Sequence, residues 1–175
     1  MTDDNQQSHK TLAQLLQGLN ILDIQGDINI QVPGLAYHSG RVKLGEVFVA
    51  LKGCQTDGHR FIGQAVAQGA AAVVVEDHTP DLPGITAVRT SDTRLALAHM
   101  AAAFNDHPSR GLTLIGITGT NGKTTTSYLL EAIWGATEAR VGVIGTVNCR
   151  FGEEIRPALV TTPESLDLQQ LLGEM

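Results

Sequence analysis

Cysteine is scarce in this chain of 175 residues: only Cys54 and Cys149 occur, far apart and outside any C-x-x-C spacing. That argues against a disulfide framework and against a zinc site. Long apolar runs are missing as well. None approaches the roughly 20 residues that cross a bilayer, and the N-terminal stretch MTDDNQQSHK is polar where a signal peptide is apolar. Cations are few: 12 Lys and Arg stand against 18 Asp and Glu, for a net charge of -6. They form no basic block, which argues against a nucleic-acid partner, because binding a phosphate backbone needs a positive field. Any phosphate held here must be captured locally, by backbone N–H groups and one or two cations. The expectation is a cytoplasmic chain with free thiols and no membrane insertion.

What is present is ordinary globular material. Hydrophobic residues make up 42% and charged residues 17%, enough to bury a core, and the length suits one or two domains. Leu12, Leu15, Leu16 and Leu19 fall at helical spacing, with Thr11 placed to cap that helix. Residues 28–32 alternate as a half-buried strand does, and Pro33-Gly34 ends it. A turn at Leu44-Gly45 introduces a buried strand over 47–51, and Asp57-Gly58 forms the next turn. An amphipathic helix over 61–68 closes at Gly69, before the apolar strand 70–76. Strand, loop, helix and strand in that order make a βαβ unit with parallel strands. Residues 85–89 read as a further strand, and Ser91 or Asp92 caps a helix that carries Leu95, Ala98, Met100, Ala102 and Phe104.

Residues 105–111 (NDHPSRG) are turn formers and mark the best boundary, dividing the chain into domains 1–108 and 109–175. The pattern then restarts, with an apolar strand over 112–117, a loop, a helix from about 123 to 134 and a buried strand over 141–147. The segment TTPESLDLQQLL begins a last helix, with Pro163 near its first turn. Trp134 is expected in the core. The fold class is α/β: a small N-terminal nucleotide-binding domain, then the start of a parallel-sheet domain built on a phosphate loop.

That loop carries the chemistry. Gly119-Thr120-Asn121-Gly122-Lys123-Thr124 lies between an expected strand and an expected helix, the setting a phosphate-binding loop requires. Glycines let the chain approach an anion, and successive N–H groups at a helix start supply positive potential. Lys123 adds a full charge for the β- and γ-phosphates, and the Thr124 hydroxyl suits Mg²⁺. The match to G-x-x-x-x-G-K-[ST] is imperfect, since Ile117 occupies the first glycine slot and Gly116 comes one residue early. A plain strand-to-helix turn of small residues is the competing reading.

TGTNGKTTT resembles the ATP loop of the Mur ligase superfamily, whose members join a carboxylate to an amine through an acyl phosphate. The resemblance implies ATP and Mg²⁺, with Gly119, Thr120, Asn121, Gly122, Lys123, Thr124 and Thr125 around the nucleotide. Lys123 and Thr124 would then serve catalysis, and Thr124 the metal. The run YHSGRVKLGEVFVALKGCQTDGHRFIGQAVAQGAAAVVVE is similar to the uridine-nucleotide-binding domain of the branch that adds the third residue of the cell-wall stem peptide. TTPESLDL resembles that branch's T-T-P segment. Carried over, Tyr37 and Ser39 contact the uridine diphosphate, Cys54, Gln55 and Thr56 line it, and Thr161 and Thr162 face the sugar-peptide portion. The implied partners are a UDP-N-acetylmuramoyl dipeptide and diaminopimelate or lysine, with a monomer as the full-length state.

Four positions depart from the family pattern. His38 stands for Asp, Gly40 for Arg, Leu44 for Pro, and Val160 for the Asn before T-T. Ser39 as a simple turn residue and Cys54 as a loop residue offering only its backbone stay open. A Ser-His-Asp triad of Ser39, His38 and Asp57 is excluded by the adjacency of its members and the lack of a nucleophile elbow. The histidines have no metal-ligand spacing. Two other functions compete: the related ligase that adds D-Ala-D-Ala, and a nucleotide-binding module without ligase activity. The T-T-P segment and the loop spelling favour the third-residue ligase. Because residues 112–175 hold too few strands for a complete ATPase domain, the chain is expected to be the front part of an enzyme and not to ligate alone.

Overall fold

The computed structural model describes residues 10–53, 56–137, 139–158 and 162–175. It falls into two compact units, 1–107 and 108–175.

The first unit is built on a five-stranded sheet. Its strands are β2 (Ile21–Gln25), β4 (Leu35–Ala36), β5 (Val47–Val49), β6 (Ala72–Val75) and β7 (Thr86–Thr90), in the order β2-β7-β6-β5-β4. β4, β5, β6 and β7 run parallel, with Val47 opposite Ala72 and Val74 opposite Val88. β2 is antiparallel on the outer edge of β7. Parallel strands covered on both faces read as continuous apolar runs, and VFVAL and AAAVVV do so here. Side chains alternate between faces. Phe48, Val73 and Val75 pack in one cluster with Ala65, against which Ile62 and Val66 also sit, all three from α2 (Ile62–Ala67). Val47, Val49, Val74 and Val88 project the other way and are 0% exposed. That leaves α1 (Leu12–Leu15) and α3 (Thr93–Phe104), which pack on each other, to cover the second face. Each such side chain, fully buried, contributes roughly 1.5–3 kcal/mol.

Several expectations hold in this unit. Thr11 caps α1 in a full capping box with Gln14, the βαβ unit runs through β5, α2 and β6, and Gly69 follows α2 at φ 103°. Of the two cap candidates for α3, Asp92 takes the role by accepting from the Leu95 N–H at 2.9 Å.

Others do not. The first helix stops at Leu15, and Gly18 turns the chain at φ 80°. The strand over 28–32 shrinks to β3 (Gln31–Val32), paired with β1 (Lys10–Thr11). Its start is diverted into an Asx turn, in which the Asp27 carboxylate accepts from the Asn29 N–H at 2.8 Å. The carbonyls of Ile28 and Ile30 instead receive the N–H groups of Ala13 and Leu12. β2 and β4 were not anticipated. On α3 the buried stripe is Ala96, Leu97, Met100 and Ala101, whereas Leu95 is 54% exposed. The last turn of α3 is closed by Lys10, whose ammonium bonds the Ala103 carbonyl and the Asp106 carboxylate.

The second unit holds α4 (Lys123–Gly135), α5 (Ser165–Glu174) and an antiparallel sheet of β8 (Gly142–Ile144), β9 (Asn148–Phe151) and β10 (Glu154–Pro157). Three corrections fall here. Residues 112–117 form no strand, because no described strand pairs with them; Leu114 and Ile115 are 57% and 53% exposed. The strand over 141–147 is only β8, half-exposed, and it turns at Gly145, whose N–H donates to the Asn148 carbonyl, into the unanticipated β9 and β10. Trp134 is 43% exposed rather than in the core. Cys149 is a free, buried thiol, and burial pushes it up from its ordinary pKa. Arg150 grips Glu131 of α4 and lies 4.0 Å from the Tyr128 ring centre, joining β9 to α4.

Candidate functional site

The described residues among those singled out by sequence lie in both units. In the second unit, the loop 119–122 leads into α4. Gly119 has φ 146° and Gly122 has φ 81°. Gly122 occupies the N-cap position of α4 in the left-handed region, where a side chain is strained, and no side chain caps the helix. The N–H groups of the first helical turn therefore stay open toward the loop. Thr126 makes the first helical bond, its N–H donating to the Gly122 carbonyl at 2.8 Å. The Lys123 ammonium folds back and donates to the Gly119 carbonyl. Thr120, Asn121, Thr124 and Thr125 are exposed. This is a run of backbone donors and one cation beside the exposed Thr124, a donor set that fits a nucleotide phosphate and a divalent cation.

In the first unit, Tyr37 and Ser39 follow β4, and the loop 52–58 follows β5, so both lie at the carboxyl ends of parallel strands. Open parallel sheets bind ligands at that end. Ser39 is buried, and its hydroxyl donates to Gln64 Oε1 at 2.9 Å. His38 stands where the resemblance implies Asp, yet the turn keeps a cap: His38 Nδ1 accepts from the Gly40 N–H at 3.2 Å. Tyr37 is half-buried and Thr56 exposed. Cys54, Gln55 and Thr161 lie outside the described residues; Thr162 is exposed before α5. Thus Tyr37 and Ser39 both follow β4, and Thr56 follows β5. The excluded triad is absent in fact, since His38, Ser39 and Asp57 each serve a different partner.

The described residues on either side of 54–55 are held close together. Lys52 and Asp57 form a bridge, the Gly53 N–H donates to the Thr56 carbonyl at 3.0 Å, and the Gly58 N–H to the Leu51 carbonyl at 2.8 Å. A Cβ on Gly58 would lie 2.7 Å from the Leu51 carbonyl oxygen, so only glycine allows this return.

Sequence reading missed the polar network beneath this loop. Asp57 Oδ1 accepts from the backbone N–H of His59 at 3.0 Å and lies 2.6 Å from its Nδ1. His59 Nε2 accepts the Glu76 N–H at 2.9 Å. A nitrogen that accepts carries no proton, so the ring is neutral and Nδ1–H donates to Asp57. Glu76 Oε1 accepts from the Thr93 N–H at 2.9 Å, and the Thr93 hydroxyl lies 2.8 Å from both Glu76 Oε1 and the Ala50 carbonyl. Lys52 bridges Glu76 and Asp77. Burial raises the Glu76 pKa, but the bonds from Thr93 and Lys52 outweigh it and hold the carboxyl below its ordinary range. The His59 N–H and ring lower Asp57, and Asp77 raises Lys52. Asp57, His59 and Asp77 place ligand atoms within 4.8 Å of one another. Lys52 already sits on Asp77, and the His59 proton on Asp57, so the charge a cation would bring is supplied. The available signal was a histidine two residues after Asp57, the reach of an Asx turn.

Comparison with known proteins decides the family. The UDP-N-acetylmuramoyl-L-alanyl-D-glutamate--2,6-diaminopimelate ligase of Geobacter sulfurreducens is 43% identical over 94% of this chain and 32% of its own length. Residues 117–175 match the Mur ligase middle domain, and residues 31–105 match the Mur ligase family, catalytic domain.

The chain belongs to the Mur ligase family.

A second ligase of the same name, from Caldanaerobacter subterraneus, is 42% identical over 94% of the chain and 34% of its length. This Mur ligase chain therefore spans about a third of the curated relatives it matches. Among solved structures, the D-alanyl-D-alanyl-adding ligase of Acinetobacter baumannii superposes with a TM-score of 0.57 at 26% identity, over 94% of this chain and 33% of that one. A diaminopimelate ligase superposes with a TM-score of 0.69 at 22% identity, over 95% and 33%, and shows the shared α/β fold. Among the described residues no helix is long and apolar enough to cross a membrane.

Proposed function

We propose that the chain supplies the uridine-nucleotide site and the ATP phosphate loop of a peptidoglycan-precursor ligase. In this reading the enzyme adds diaminopimelate or lysine to UDP-N-acetylmuramoyl-L-alanyl-D-glutamate. The observation that carries the reading is 43% identity over 94% of the chain to a ligase named for that substrate, and the uncapped start of α4 supports it independently. The curated relatives at 42–43% identity carry the name of the third-residue ligase, which favours that reading over the D-alanyl-D-alanyl-adding enzyme.

Within the second unit, the first N–H groups of α4 and Lys123 hold the nucleotide phosphates. Lys123 leaves the Gly119 carbonyl to do so, which gives it a full charge to aim at the transferring phosphoryl group. Thr124 would offer its hydroxyl to Mg²⁺, which would supply positive charge to offset that of the phosphates. Within the first unit, Tyr37 and Ser39, with Cys54, Gln55 and Thr56, hold the uridine diphosphate by neutral hydroxyls, amides and backbone N–H groups. That suits a chain with a net charge of -6. Thr161 and Thr162 face the sugar-peptide portion. The boundary between the two functions lies at about 108, and the enzyme works in the cytoplasm as a monomer.

Isothermal calorimetry with the UDP-muramoyl dipeptide and, separately, with Mg·ATP tests both sites. Binding of each to the wild-type chain, weakened by S39A and K123A respectively, is expected. Failure of the chain to bind either ligand would sink the assignment.

A further inference from the structure

We propose that Arg150 is a positioning residue for the phosphate loop: its grip on Glu131 fixes the rotation of α4 about its axis and thereby aims Lys123. The inference rests on the reading of the loop 119–122 and Lys123 as the ATP phosphate site.

A helix packed through apolar side chains takes its setting from the shapes that interlock. α4 has little of that. None of its residues is fully buried, and its half-buried positions are Lys123, Ser127, Leu130 and Glu131. At about 100° per residue these four fall on one stripe, and Leu130 is the one large apolar side chain among them. Tyr128, Leu129, Ile133 and Trp134 are 43–64% exposed.

A polar clamp takes the place of packing. Arg150 lies on β9, the middle strand, so its backbone is held by β8 on one side and β10 on the other. Its Nε donates to the two Glu131 carboxylate oxygens at 2.8 and 2.9 Å, and Nη2 donates to Oε2. Nη1 donates to Asn148 Oδ1 at 2.6 Å, which braces the guanidinium from its own strand. The same guanidinium carbon stands 4.0 Å from the centre of the Tyr128 ring. With Arg150 11% exposed and Glu131 29%, water screens the pair less than it does at an open surface.

These contacts have direction. A guanidinium is planar, and its fork meets a carboxylate in one plane while its face meets a ring. Glu131 and Tyr128, three residues apart, are neighbours on the helix surface, so Arg150 holds α4 at two adjacent points and admits one rotation. Lys123 lies on the stripe of Glu131, two turns and about 12 Å toward the helix start. A hydrogen-bonded helix is stiff over that distance, so a turn at Glu131 carries Lys123 with it, away from or toward the loop whose Gly119 carbonyl it now bonds.

Calorimetry of the full chain with Mg·ATP, for wild type, R150M, R150K, K123A and the double variant K123A/R150M, tests this. R150M is expected to weaken ATP about tenfold, and R150K, which keeps the charge and loses the fork, about fivefold. Since Arg150 acts through Lys123, the double variant is expected to bind within about twofold of K123A alone. A residue that merely stabilised the unit would cost the same factor in either background. Losses that multiply in the double variant therefore overturn the proposal, as does wild-type affinity in R150M, and both outcomes leave the phosphate loop standing. If R150M does not fold, R150K with and without K123A applies the same criterion. Absence of ATP binding by wild type overturns the reading of the loop and the proposal together.

Discussion

In the first unit Val47, Phe48, Val49, Val73, Val74 and Val75 are all at 0–1% exposure, whereas in the second Leu129, Ile133, Val147 and Ile155 stand at 59–69%. VFVAL over 47–51 and LTLIGI over 112–117 are both apolar runs, so composition does not separate them. What separates them is pairing. Each central strand of the first unit has hydrogen-bonded neighbours and side chains packed on both faces. Residues 112–118 in the second have no described strand beside them, and α4 has no fully buried residue. An apolar run becomes a strand only where another strand takes up its N–H and C=O groups. The same contrast governs the two sites. Tyr37 and Ser39 follow a strand of a packed sheet, and the loop 119–122 leads into the open start of a single helix.

The contrast can be broken most sharply by truncation. F48A removes the largest fully buried side chain of the first unit and is expected to cost about 3–5 kcal/mol. L129A, at a residue 60% exposed, is expected to stay within about 0.5 kcal/mol. Urea denaturation of both variants, followed by far-UV circular dichroism, measures the difference; equal costs would mean that the apolar face of α4 is covered in solution. K123A comes next, with an expected loss of about a hundredfold in ATP affinity, read by calorimetry, and unchanged binding of the UDP-muramoyl dipeptide. A comparable drop for both ligands would show that the two sites are not separable.

T11A removes half of the α1 capping box and should lower stability by about 1 kcal/mol, again read by urea. The smallest effect concerns pH. Glu76 is held below its ordinary pKa, so its contribution to stability is present above the ordinary carboxylate range and fades as the pH falls through the depressed folded value. E76Q should therefore be less stable than wild type near neutrality and converge with it in acid. Hydrogen exchange adds a map of the same contrast: amides of β6 and β7 should be far better protected than those of 112–118, and uniform protection would contradict the absence of a strand there.

Determined by sequence alone were the features whose cause is local. Thr11 three residues before Gln14 specifies a capping box, Gly69 ends α2, and the apolar runs over 47–51 and 70–76 announce buried parallel strands. The turn of the loop 119–122 was legible for the same reason: Gly119 and Gly122 take positive φ, a freedom that travels with the residue. Only tertiary structure decided what depends on a distant partner. Residues 112–117 look like a strand and are not one, because strand formation is a property of two segments. Trp134 looks like core and is 43% exposed, because burial needs a surface to be buried against. His38 departs from the family and still caps the turn, since an imidazole nitrogen can accept where a carboxylate would. The His59 tie to Glu76 joins residues 17 apart in sequence, and the fold alone brings that amide to that ring.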